Sequence, residues 1–98
     1  MISDLDAALE EHRAAPWPRG VDRGEMYGDL SVVMVDADLY GFASRVAEGQ
    51  SLPLKVRMRF EHDTDRLKAS LPRFPAAGRP YFERLLGIAE VALRRLAT

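Results

Sequence analysis

The chain has 98 residues, 47% hydrophobic and 30% charged, with 14 Lys+Arg against 15 Asp+Glu, a formal net charge of −1 and no cysteine. That length allows one core, so residues 1–98 read as a single domain, and the apolar content is too high for disorder. The missing cysteines exclude disulfides, thiolate metal sites and a cysteine nucleophile, and His12 and His62 are too few for a histidine-rich metal centre. No apolar run reaches the roughly 18 residues of a membrane span. Residues 1–6 lack the basic-then-apolar layout of a signal peptide, so the expected location is the cytoplasm.

The first predicted element runs from about Asp4 to Ala15. Ser3 suits the N-cap, and Asp4 and Asp6 lie where the positive helix end favours them. Leu5, Ala8, Leu9 and His12 share one face, with His12 expected as a packed boundary residue, and Pro16 ends the helix.

Residues 16–28 form a connection with two prolines, three glycines and the only tryptophan. It is too broken for a helix or a central strand, and it exceeds the usual helix connection of about 2–8 residues. Pro16-Trp17-Pro18-Arg19 stiffens an extended backbone, so Trp17 has two readings. It is either displayed at low entropic cost as a contact residue or used as a plug for the core. Trp17, Arg19 and Tyr27 are the candidate partner-binding residues.

The second element spans about Leu30 to Glu48, between Gly28 and Gly49, with Asp29 as the expected N-cap. Leu30–Val35 has β-branched content, but some twenty residues without a turn signal favour a helix. Ser31, Asp38 and Arg45 share a narrow polar face, and a helix otherwise apolar belongs in the middle of a bundle.

The third element runs from Pro53 to about Leu71. Leu54–Phe60 alternates as a strand would, yet Val56, Phe60, Leu67, Leu71 and Phe74 fall within about 60° of one another at helical spacing. The longer pattern favours helix. The fourth element begins at Pro80, a first-turn position, and runs to about Ala97 with a broad apolar face from Tyr81 to Leu96.

Four helices predict an all-α fold, a four-helix bundle or an irregular helical array. Leu39, Val46, Ile88 and Val91 widen the apolar arcs of the second and fourth helices beyond what a small bundle needs, which predicts a homodimer or a protein partner.

Few residues offer chemistry. Asp36 falls inside an apolar arc with Val32, Ala43, Ala47 and Tyr40, so it reads as a buried acid. Such a carboxylate needs an arginine, or a hydrogen bond from Tyr40 or Tyr81, unless it serves a site. Asp38 reads as a solvent-face residue near Arg45. Asp36 and Asp38 stand two apart and so diverge on a helix, and Glu61, Asp63 and Asp65 lack the glycine and terminal glutamate of a calcium loop. No metal or cofactor is therefore expected, and no nucleophile or phosphate-loop motif is present.

The balanced charge hides an asymmetry: residues 1–49 hold 4 basic and 10 acidic side chains, and residues 50–98 hold 10 and 5. Lys55, Arg59, His62, Arg66 and Arg73 form a basic stripe that could follow a phosphate backbone. Against this stand the flanking Glu61 and Asp65 and a pI near 6.1; the plainer expectation is that the stripe solvates its helix or meets acids of the first helix.

Val35-Asp36-Ala37-Asp38 followed by Gly41, with Arg79-Pro80-Tyr81-Phe82-Glu83-Arg84-Leu85, resembles a pattern in small uncharacterised helical proteins of high-GC actinobacteria. The resemblance implies a helical fold, and the group has no assigned activity to carry over. The expected function is a non-enzymatic protein-interaction module, either a homodimeric accessory or regulatory subunit or an inhibitor of the antitoxin or immunity type. The alternatives are a nucleic-acid-associated regulator using residues 55–73 and a small-molecule binder using Asp36.

Overall fold

The computed structural model describes residues 4–97, and Ser3, the expected cap of the first helix, lies outside them. Among the described residues the chain forms four α-helices: α1 (Asp4–Ala14), α2 (Val32–Ala47), α3 (Leu54–Ser70) and α4 (Arg79–Ala97). A short hairpin, β1 (Met26–Tyr27) and β2 (Leu30–Ser31), precedes α2, and a 3₁₀ turn at Leu71–Arg73 follows α3. The fold is an all-α array with α2 packed against the other three helices. Its central place follows from its sequence, since Val32, Val35, Leu39, Ala43 and Val46 are all buried.

The start of α2 differs from expectation. Met26 pairs with Ser31 and Tyr27 with Leu30 in antiparallel register, around a two-residue Gly28-Asp29 turn. Gly28 has φ 66°, the position glycine takes in hairpins of type II′. Leu30 and Ser31 are thereby held extended, and Ser31, not Asp29, becomes the N-cap, its hydroxyl accepting from the Met34 amide at 3.3 Å. At the other end Gly49, with φ 80°, closes the helix; its amide reaches Val46 O and that of Gln50 reaches Arg45 O, each at 3.0 Å. This double bond pattern satisfies carbonyls that the helix end would otherwise orphan.

The competition in the third segment resolves as helix throughout residues 54–70. Phe60, Thr64 and Leu67 turn inward, and the alternating 54–60 pattern only places Leu54 and Met58 on the outer side, 72% and 59% exposed. The helix gives way to the 3₁₀ turn at Leu71, where Pro72 interrupts the backbone donors. Phe74, placed on the α3 stripe by periodicity, is instead buried beyond that turn. Arg79 holds this corner, its guanidinium donating to Phe74 O at 2.9 Å and Pro72 O at 3.1 Å.

The core joins all four helices and is built largely of Phe60, Phe74, Phe82, Leu5, Leu39, Leu67 and Leu85. Leu39, Val46 and Ile88, expected as surplus apolar surface, are buried within the single chain, because α2 has neighbours on three sides; Val91 stays half-exposed. Ring contacts run through the molecule from Tyr27 to Phe74 (4.4 Å), Phe82 (4.7 Å) and Trp17 (5.8 Å), and continue through Tyr81 to His12 (4.5 Å). Such tilted pairs each add about 0.5–1.5 kcal/mol beyond area burial.

Candidate functional site

Three places combine shape with chemistry. The first is the junction of α1, α2 and α4. Its depression, about 180 Å³, is lined by His12, Arg13, Ala15, Asp36, Ala37, Tyr40 and Tyr81. His12 sits on the inner face of α1, 3% exposed, and its Nε2 lies 2.8 Å from Asp36 Oδ1. The Tyr81 hydroxyl donates to the same oxygen at 3.1 Å. His12 Nδ1 is buried with no partner. Because a carboxylate oxygen accepts, Nε2 is the donor in this bond, an assignment made from the hydrogen-bond partners.

Asp36 departs from the expectation of full burial: its side chain is 22% exposed, at the lip of the depression. Of its expected partners, Tyr81 is present and an arginine is not; Tyr40 instead stacks on the His12 ring at 6.0 Å. Burial raises the Tyr81 phenol above its ordinary value, and the Asp36 charge and hydrogen bond reinforce the rise. No serine, threonine or lysine lines the depression, whose hydroxyls are those of Tyr40 and Tyr81. Physically the group is a pin between three helices. Sequence reasoning flagged Asp36 and packed His12 separately. Their 24-residue separation hid the bond between them.

The second place is a cleft of about 360 Å³ between α2 and α3, closed at one end by the hairpin. It contains the middle of the basic stripe. Arg59 donates to Asp38 Oδ2 at 3.0 Å and lies 3.8 Å from Asp63, and Arg66 meets Asp29 at 2.7 Å. The cations do meet acids, but those acids come from the hairpin turn, α2 and α3 itself, not from the first helix. Asp38 accordingly serves Arg59, while Arg45 turns to Gln50 at 3.4 Å. Lys55 and His62 are exposed, and Arg73 leaves α3 for the 3₁₀ turn. Burial pushes the Asp63 carboxyl above the usual range against the pull of Arg59, and the Arg66 hydrogen bond holds Asp29 below it.

The third place had no name in the sequence. Between α1 and α4 runs an apolar groove of about 390 Å³, lined by Leu5, Ala8, Gly87, Ile88 and Val91 and rimmed by Asp4 and Arg84. The two short side chains make it: Ala8 from one wall and Gly87 from the other leave space between the helices, and nothing stands within 4 Å of a Cβ built at Gly87. Arg84 lies 3.6 Å from Glu11 and over the Tyr81 ring, with its Nε buried and lacking a hydrogen-bond partner. The i, i+4 pair Gly87–Val91 opposite Ala8 was the available signal.

The connection residues are held by the core. Trp17 is half-buried, donates from its indole to Val21 O at 2.6 Å, and carries Arg23 over its face at 4.7 Å. Of its two readings, the plug is what its packing matches. Tyr27 packs on Phe74, while Arg19 is exposed. Among the described residues no cluster of three or more His, Asp or Glu could hold a metal ion, and no helix is long and apolar enough to cross a membrane. No family model, curated protein or solved structure matches the chain.

Proposed function

We propose that this chain is a non-enzymatic protein-interaction module that works through the α1–α4 face. The observation that carries the reading is the groove itself: its floor and walls are almost wholly aliphatic, yet one chain leaves it open. Apolar surface of this kind rimmed by charge is a common mark of protein contact. The exposed methionines, Met26 and Met34 on the hairpin side and Met58 on the outside of α3, belong to other faces. The nucleic-acid alternative is weakened by the carboxylates that occupy Arg59 and Arg66, since each paired cation has one less charge to offer a phosphate.

The test is site-specific photo-crosslinking in living cells. A benzophenone side chain replaces Gly87 in the groove, and in a control it replaces Asp65 on the exposed side of α3. The reading expects a covalent protein adduct from position 87 and none from position 65. Equal adducts from both positions, or none from position 87, would refute it.

A further inference from the structure

We propose that the α2–α3 cleft binds a small organic cation, a primary ammonium carried on an apolar body, and that Asp63 receives it. The proposal concerns a different face from the interaction reading above and does not depend on it. The charges that line the cleft are Asp29, Asp38 and Asp63 against Arg59 and Arg66, a net of −1 with His62 neutral. Two of the carboxylates have an arginine at hydrogen-bond distance: Arg59 lies 3.0 Å from Asp38, and Arg66 lies 2.7 Å from Asp29. Asp63 is left over. Its one ion pair among the described residues is with Arg59 Nε at 3.8 Å, beyond hydrogen-bond reach.

Burial sharpens the mismatch. The Asp63 side chain is 13% exposed, the least of the three acids. A carboxylate taken from water without a hydrogen bond is costly, and burial raises its carboxyl even with Arg59 beside it. An asparagine of the same shape would avoid that cost, so the charge works against the fold where it stands. A charge that opposes the fold and opens onto a cleft is a mark of a binding site. What Asp63 lacks is an N–H donor that brings positive charge, and an ammonium group supplies both. One such cation also brings the lining to neutrality. An anion would have to part Arg59 from Asp38 or Arg66 from Asp29, leaving a carboxylate without its partner.

The apolar body follows from the rest of the lining. The cleft holds about 360 Å³, within the range of ligand pockets, and Leu30, Val35 and Met34 supply its apolar surface. A hydrated metal ion makes no use of that surface. An aliphatic or aromatic amine buries its carbon against it while its nitrogen reaches Asp63. Arg59 stays on Asp38, so the arginine and the bound cation take different carboxylates.

The experiment titrates the purified, ¹⁵N-labelled full chain with benzylammonium chloride and follows the amide chemical shifts. Benzyl alcohol, sodium benzoate and magnesium chloride are titrated in parallel at matched ionic strength. The expected result is saturable shifts clustered at residues 30–38 and 59–66 with benzylammonium, at a dissociation constant in the millimolar range, and none with the other three. Asp63→Asn should weaken the binding by about tenfold or more, and its amide spectrum shows whether it is folded. Asp65→Asn, on the exposed side of α3, should leave the binding within about twofold. Benzylammonium should also raise the melting temperature of the parent and not that of Asp63→Asn. Absence of saturation with benzylammonium overturns the proposal. So does a folded Asp63→Asn that binds as tightly as the parent, or benzyl alcohol or benzoate binding as tightly as the amine. Magnesium giving the same saturable shifts overturns it as well, because the apolar body would then contribute nothing.

Discussion

Replacing Asp36 with alanine tests the pin that joins α1 to the rest of the fold. Asp36 Oδ1 receives two hydrogen bonds, from His12 Nε2 at 2.8 Å and from Tyr81 at 3.1 Å. A hydrogen bond to a charged acceptor is worth about 1.5–3 kcal/mol net, and a buried donor left unpaired costs about 1–3 kcal/mol. The two groups that lose their partner differ in rescue. Tyr81 is only half-buried and lines the open depression, so water can replace the carboxylate. His12 is 3% exposed and already has one unpartnered nitrogen, so its imidazole would be stranded with two. Summing one charged bond, one stranded donor and a hydrated tyrosine, with partial relaxation, gives a loss of about 2–4 kcal/mol. In a domain of this size that lowers Tm by roughly 10–25 °C. Urea unfolding followed by circular dichroism and by Trp17 fluorescence measures it. Tyr81→Phe alone should cost about 1 kcal/mol, and Asp36→Ala should cost measurably less in that background, since the pair is coupled. If Asp36→Ala stays within about 0.5 kcal/mol of the parent, the level of an unremarkable surface change, the account of the pin is wrong.

Other outcomes follow from single positions. Gly78→Ala should destabilise by about 1–3 kcal/mol, because the new methyl would collide with the Val21 side chain beneath it; chemical denaturation reads this. Gly87→Ala should raise stability by about 0.5–1 kcal/mol, since the position is helical with open space around it and glycine there costs backbone entropy. The raised Asp63 carboxyl means that its share of stability is full below the ordinary aspartate value and is lost as pH rises through the raised one. Asp63→Asn should therefore be the more stable protein near pH 7, with the gap closing in strong acid. The raised Tyr81 phenol has the same sign at the alkaline end, so stability should fall above about pH 10, and Tyr81→Phe should flatten that fall in a pH series of melts.

All four helices were legible because each presents an apolar stripe long enough to outvote local alternatives. Residues 54–60 make the point: seven alternating positions suit a strand, but Leu67 extends the pattern only at helical spacing. The hairpin was not legible. Its strands are two residues each, below the length at which periodicity says anything, and Gly28-Asp29 marked a turn without saying what it joined. That gap cost the N-cap of α2, moved by two residues to Ser31. The pin was half legible, because burial can be inferred from one helix but a partner 24 residues away cannot. The surplus apolar surface was overestimated for the same reason. Leu39, Val46 and Ile88 exceed what one neighbour can cover, and the sequence does not reveal that α2 has three. The α1–α4 groove escaped notice because it consists of side chains that are absent, a methyl at position 8 and a hydrogen at position 87.

α1 buries Leu5, Leu9 and His12, with Ala8 packed beside them and Glu11 facing Arg84, and it leads into the connection that Trp17 anchors. Three buried residues, against five in α2 and six in α4, mean that the α1 amides should exchange with solvent at a lower opening free energy than those of α2 and α4. When α1 lifts away, one wall of the groove goes with it. Occupying the groove and docking α1 are therefore thermodynamically linked: whatever binds there slows deuterium uptake in α1 more than in α3, and a loosened α1 weakens the binding in return.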